Sequence, residues 1–291
     1  MSSVSSSPAP AALPFRKMNG LGNDFVVLDA RAQKIVLSED QVRAIADRKT
    51  GIGCDQLIIM EKSGKADVTM RIWNAEGGEV ESCGNASRCI ADIVMDEKKS
   101  ASATIDTKGG FLTAQRAGKL LVKIDQGRPR FDWKDIPLSE AFPDTRHIEL
   151  QVGPIDAPLI HSPSVVNVGN PHCIFWVQDL DVVDLSRVGP MIENHPLFPE
   201  RTNLELAKVV SRDHIILKVW ERGAGLTKAC GTAACATMAA GYRLKLIDRE
   251  CRITLPGGDL FMAVNPENGH VLMTGPVEYE YEDVLPARFL S

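Results

Sequence analysis

Alternating apolar and polar positions mark two separated segments of the chain. Val68, Met70 and Ile72 recur every second residue in VTMRIWN, and Ile215, Leu217 and Val219 do so in HIILKVWE. A period of two predicts half-buried strands. DFVVLDA, ASATIDT, HCIFWVQ and RITLP read as further β-rich segments. A Gly-containing loop follows each alternating strand, EGGEVES in one case and RGAGLTK in the other. Each loop runs into a Cys-Gly pair and then a helical run, NASRCIADIVMDEKK or TAACATMAAGYRLKLI. Asn85 and Thr232 stand where helix caps are expected. SEDQVRAIADRK predicts another helix in the first half. Strands outnumber helices without strict βαβ alternation, which predicts α+β halves. The Asp/Pro-rich stretch around 128–145 reads as a linker between them.

The two segments belong to a longer repeat. Asn23 in GNDF and Asn170 in GNPH are 147 positions apart. The same shift carries Gln56 to Asn203, Trp73 to Trp220, Gly78 to Gly225, Cys83 to Cys230, Gly84 to Gly231 and Ala86 to Ala233. With one inserted residue, GGFL at 109–112 meets GGDL at 257–260. Gly, Trp, Cys and Asn do not interchange cheaply, so chance explains this poorly. Two long units indicate a duplicated domain, since a solenoid needs several short ones.

Composition narrows the class. The chain has 291 residues, 44% hydrophobic and 24% charged, which excludes disordered and fibrous classes. A net charge of −5 leaves no basic surplus for a phosphate backbone, so no nucleic-acid partner is expected. No apolar run approaches the roughly 18 residues of a membrane span. Residues 1–14, MSSVSSSPAPAALP, lack the features of a signal peptide and read as a disordered tail. The seven cysteines are odd in number, which with the missing export signal predicts free thiols and a cytoplasmic location. Their spacings fit no common zinc pattern, so no metal is expected. Cys54, Cys89, Cys173, Cys235 and Cys251 read as small buried hydrophobes.

Cys83 and Cys230 differ from these five, because each precedes a helix start. Free backbone N–H groups and the positive end of the helix dipole favour a thiolate there and offer an anion site beside it. If the halves face each other across a pseudo-twofold axis, both thiols reach one cleft. That suits inversion of a carbon next to a carboxylate. One thiolate removes a proton from one face and the opposite thiol returns one to the other. The N–H groups after Cys83 and Cys230 are candidates to hold the developing charge. The repeat is broken where Asn74 corresponds to Glu221 and Phe25 to His172. His172 and Glu221 are therefore candidates to tune two otherwise similar thiols. Each also has a structural reading: His172 as a turn residue, Glu221 as the surface partner of Arg222 or Lys228. The amides Asn23, Gln56, Asn74, Asn170 and Asn203 both donate and accept, which suits a zwitterionic ligand.

These motifs resemble those of the diaminopimelate epimerase family. The resemblance lies in KMNGLGNDFVVLDA (17–30), GIGCDQL (51–57), RIWNAEGGEVESCGNASRC (71–89), NVGNPHCIFWV (167–177), FPERTNLE (198–205), WERGAGLTKACGTAACA (220–236) and LPGGDL (255–260). It implies two pseudosymmetric lobes, each a strand-rich barrel-like sheet around a central helix. The N-terminal lobe is expected over 15–130, completed by the C-terminal strand 277–291, and the C-terminal lobe over 131–276. It also implies a homodimer that interconverts LL- and meso-diaminopimelate in lysine and peptidoglycan precursor synthesis, without pyridoxal phosphate or any other cofactor. By resemblance, Cys83 and Cys230 are the catalytic thiols, and His172 and Glu221 tune them. Substrate contacts carry over to Asn23, Gln56, Asn74, Gly84, Asn85, Asn170, Asn203, Glu221, Arg222, Gly231 and Thr232. The chain departs from the family pattern at Asn19, Cys54, Ala86, Ser87, Leu226 and Ala233, none of which removes a thiol or a substrate contact. Two alternatives are a proline or hydroxyproline racemase-like enzyme and a noncatalytic amino-acid-binding protein of the same fold.

Overall fold

The computed structural model describes residues 13–289 apart from Ser82. The first half carries β1 (Leu13–Gly20), β2 (Asn23–Asp29), α1 (Glu39–Ala46), β3 (Gln56–Glu61), β4 (Val68–Asn74), β5 (Glu79–Val80), α2 (Gly84–Lys98), β6 (Ser102–Thr107), β7 (Gly110–Gly118) and β8 (Leu121–Asp125). The second carries β9 (Gln151–Val152), β10 (Ile160–His161), β11 (Ser164–Asn167), β12 (Pro171–Trp176), α3 (Leu185–Glu193), β13 (Asn203–Ser211), β14 (His214–Glu221), β15 (Gly225–Thr227), α4 (Gly231–Arg243), β16 (Glu250–Leu255), β17 (Gly258–Val264) and β18 (Val271–Pro276). β19 (Glu278–Leu285) returns to pair antiparallel with β1. The 147-residue shift superimposes α1 on α3, α2 on α4 and β2–β6 on β12–β16. The α+β architecture and the duplication are thus both present.

All strands except β9 and β10 form one 17-stranded sheet. The halves join where β8 pairs antiparallel with β18, its own repeat counterpart. In that ladder Ile124 lies opposite Met273 and Asp125 opposite Leu272. A shift of 148 converts the first pair into the second, so a local twofold axis runs through this junction.

Helices α2 and α4 are the most buried of the helices. Along α2 every residue from Gly84 to Met95 is buried. The Ala-rich α4 is buried from Ala233 to Gly241. The apolar residues of both lie in one cluster that spans the two halves, while α2 also buries Asn85, Ser87, Arg88 and Asp92. Their N-termini meet: a Cβ built on Gly231 would stand 3.5 Å from Gly84 Cα, and one built on Gly84 only 2.8 Å from Met273 Cε. Glycine at both positions permits the approach.

Three expectations are corrected. The stretch around 128–145 is no free linker, because Ile136 and Leu138 are buried in a second core cluster with Phe175, Leu204 and Leu206. Its apolar side chains cover the face of the sheet turned away from α4. The helix caps are Cys83 and Cys230 themselves, with Gly84 and Gly231 as first helical residues, so Asn85 and Thr232 lie inside the first turn. Both cysteines have the extended backbone an N-cap needs. Leu13 and Pro14 belong to β1, opposite Leu285 and Val284, so the expected tail does not reach residue 14. Residues 1–12 lie outside the described residues, as do 290–291 of the expected C-terminal strand.

Candidate active site

The two Cys-Gly helix starts form the floor of the site. Cys83 Sγ accepts from Ala86 N at 3.5 Å, and its thiol donates to Asn23 Oδ1 at 3.6 Å. Cys230 makes no such cap bond and instead lies 3.4 Å from Thr232 Oγ1. Sequence-equivalent thiols therefore have different partners. The expectation that the helix starts lower the thiol pKa is not met. Burial pushes Cys83 up to about 11, against the hydrogen bond from Ala86 N and with the Glu221 charge adding to the rise. Burial likewise holds Cys230 well above the usual thiol range, again with Glu221 adding. Desolvation of a thiolate outweighs the helix terminus there, and at Cys83 also the weaker opposing effect of the Arg88 charge.

The expected amides and polar residues gather around this floor. Asn85 Nδ2 donates to Asn23 Oδ1 at 3.4 Å, and Gln56 Nε2 to Asn74 Oδ1 at 3.0 Å. Gln56 Oε1 and Asn85 Oδ1 are buried with no hydrogen-bond partner among the described residues. Asn203 Nδ2 donates to the Pro171 carbonyl at 2.8 Å, and its Oδ1 accepts from Arg222 N at 2.9 Å. The Arg222 guanidinium donates to the Glu200 carbonyl at 2.9 Å and forms no ion pair with Glu221 among the described residues. Burial raises Glu221, against the hydrogen bonding it receives, in part from Cys230. That contact places Glu221 at the site, not in a surface pair. His172 is fully buried within β12, with Nε2 2.8 Å from Asn170 Oδ1 and Nδ1 2.6 Å from Glu205 Oε1, so it is no turn residue.

The five remaining cysteines are buried, and all seven are free thiols. No described group of three or more His, Cys, Asp or Glu side chains is arranged to hold a metal ion. Among the described residues no helix is long and apolar enough to cross a membrane. Asn19, one of the departures, closes the β1–β2 turn: its Oδ1 accepts from Gly22 N at 2.7 Å, and Gly22 has a left-handed φ of 80°.

Sequence reasoning missed Asp55, Arg88 and Glu205. Asp55 Oδ2 accepts from Asn23 Nδ2 at 2.9 Å and so fixes the amide that meets Cys83. Arg88 is fully buried behind the helix starts, where its Nε donates to the Pro276 carbonyl at 3.2 Å. Their signal was only proximity in sequence: Asp55 and Arg88 are next to Gln56 and Cys89, and Glu205 is two residues after Asn203.

The loop bearing Asp55 depends on a buried charge cluster. Asp24 binds Lys17, and it accepts from Arg48 Nη2 at 2.7 Å. Burial opposes ionisation of Asp24, but the two cations outweigh it and hold the carboxyl well below its usual range. Lys17 is only 5% exposed, so Asp24→Asn strands its charge. We expect a loss of about 3–5 kcal/mol at pH 7, measured by urea unfolding. A lowered carboxyl pKa stabilises above the unfolded value of about 3.9 and is lost as the pH falls towards the folded value. The difference between variant and parent should therefore shrink only below about pH 4. A variant as stable as its parent at pH 7 would show the cluster to be dispensable.

The diaminopimelate epimerase family model matches residues 15–131 and again 164–280. The chain belongs to the diaminopimelate epimerase family. The diaminopimelate epimerase of Rhodopseudomonas palustris (strain BisB18) is 50% identical over 270 residues, covering 92% of this chain and 93% of the relative. That of Afipia carboxidovorans is 51% identical over 271 residues, with 92% and 93% covered. Among solved structures, a hydroxyproline epimerase from Agrobacterium vitis superimposes with a TM-score of 0.67 at 13% identity, covering 94% of this chain and 92% of that one. A phenazine biosynthesis protein of the PhzF family from Bacillus anthracis gives 0.66 at 18% identity, covering 95% and 100%. At such identities these two show a shared fold and nothing finer. The double match of the family model coincides with the repeat read from the sequence.

Proposed function

We propose that this member of the diaminopimelate epimerase family, an isomerase, interconverts LL- and meso-diaminopimelate with Cys83 and Cys230 as its acid–base pair. The observation that carries the reading is the meeting of two Cys-Gly helix starts at the axis of a duplicated fold. In this scheme one cysteine, as thiolate, takes the α-proton. The electron pair left behind spreads into the adjacent carboxylate, where N–H groups of the two first turns hold it. The opposite thiol then delivers its proton to the other face. Thiolate and thiol have exchanged places, and the reverse reaction restores them. No cofactor enters.

The raised thiol pKa values fit this order of events. A substrate ammonium entering beside the pair adds positive charge there and favours a thiolate on binding. Gln56 and Asn85 are assigned to accept from that ammonium, which their buried oxygens without a partner among the described residues support. Lobes of 15–130 with 277–291 and of 131–276, a homodimer and a cytoplasmic location complete the proposal.

Exchange at the α-carbon in deuterated water tests it, with diaminopimelate, proline and hydroxyproline run side by side. We expect deuterium wash-in and epimerisation with diaminopimelate alone. Exchange confined to proline or hydroxyproline would replace the substrate, and exchange with none would overturn the enzyme reading.

A further inference from the structure

The second half buries a polar pair where the first half is apolar. His172 and Glu205 are both fully buried, and the repeat shift maps them onto Phe25 and Ile58. Phe25 and Ile58 lie in the apolar core. Replacing two such residues by an imidazole and a carboxyl has a large desolvation cost unless their bonds serve a purpose.

Those bonds form a chain that ends on a thiol. His172 Nδ1 lies 2.6 Å from Glu205 Oε1, and His172 Nε2 lies 2.8 Å from Asn170 Oδ1. Asn170 Nδ2 donates to Thr232 Oγ1 at 3.4 Å, and Thr232 Oγ1 lies 3.4 Å from Cys230 Sγ. Donor and acceptor chemistry fixes the direction. Asn170 Oδ1 can only accept, so His172 Nε2 carries a proton. A single further proton is shared between Nδ1 and the carboxyl; on either atom, Nε2 keeps its own. Thr232 Oγ1 accepts from the amide, and its own O–H can donate to Cys230 Sγ once that sulfur is a thiolate, which has no proton to give.

We infer that Glu205 is a positioning residue that, through His172, Asn170 and Thr232, aims a hydroxyl donor at Cys230 and so favours its thiolate. It does this by fixing polarity, not by lending charge, because the Glu205–His172 pair is neutral overall in both forms. Cys83 instead meets an acceptor, the Asn23 Oδ1 of an amide held by Asp55, which makes the two thiols unequal. The titratable groups acting on the chain are Glu221 from β14, Cys173 from β12 and Cys230 itself, while Asp55 acts on Glu221 from the first half. Burial raises Glu205 against the opposing effect of His172, which agrees with a shared proton.

This inference rests on the two-thiol reading above. Its test compares kcat/KM against pH in the LL-to-meso and meso-to-LL directions. Glu205→Ile restores the first half's residue type and leaves Nδ1 without a partner. We expect it to move one limb of the profile to higher pH by about 1 unit: the acid limb where Cys230 is the base, the alkaline limb where it is the acid. Glu205→Gln can donate its amide N–H to Nδ1, preserves the polarity and should return both limbs to the parent positions. His172→Phe with Glu205→Ile rebuilds the apolar pair, guards against misfolding and should show the same displaced limbs. Lower rates with unmoved limbs in Glu205→Ile, or equal displacement in Glu205→Gln, would overturn the inference. A parent enzyme without α-carbon exchange would instead defeat the two-thiol reading.

Discussion

Cys83→Ala and Cys230→Ala are each expected to abolish epimerisation of diaminopimelate in both directions. Inversion needs a proton acceptor on one face and a donor on the other, so either loss interrupts the cycle in both senses. The fold should survive. The cap bond from Ala86 N to Cys83 Sγ is long at 3.5 Å, and Cys230 makes none. Loss of a cap costs about 0.5–2 kcal/mol at most. Circular dichroism and urea unfolding check stability, and a chiral assay of both stereoisomers checks activity. Exchange of the α-proton without inversion, from one face only, remains possible when the other thiol is intact. A single alanine variant that epimerises at near-parental rate would refute the two-base scheme.

Arg222→Lys is expected to lower kcat/KM by about ten- to a hundredfold, since about 1.4 kcal/mol is a factor of ten and a charge-assisted hydrogen bond contributes about 1.5–3 kcal/mol. Diaminopimelate carries a second amino-acid centre that must be read without being inverted. Arg222 follows β14 directly, and its backbone N–H is fixed by Asn203. Its guanidinium donates to one carbonyl, that of Glu200, and has no carboxylate partner among the described residues. The planar fork is thus available to a ligand carboxylate, which lysine cannot grip bidentately. The thermal melt should hardly move. An early-melting variant that binds diaminopimelate normally would make Arg222 a structural residue.

The sequence determined what depends on local periodicity and on residue identity at fixed spacing. Alternation in 68–72 and 215–219 specified β4 and β14. The 147-residue shift exposed the duplication, because Gly84, Trp73 and Cys83 and their counterparts have no cheap substitutes. The same shift placed both thiols at helix starts. Cap assignment failed by two residues, since the cap is set by backbone angles at Cys83 and Cys230, and Asn and Thr are merely the commoner choices. The stretch around 128–145 was misread because its Pro and Asp residues hide Trp133, Ile136 and Leu138, whose burial depends on a sheet surface formed elsewhere. Only the tertiary structure decided how the halves meet, through the ladder between β8 and β18, two strands more than 140 residues apart. It alone decided the electrostatics, because a thiol's pKa follows the water and charge around it, and burial there outweighs the helix start. Asp55 and Glu205 stayed hidden for the same reason. Each acts through a partner about 32 or 33 positions away, and that proximity arises from parallel pairing of β2 with β3 and of β12 with β13.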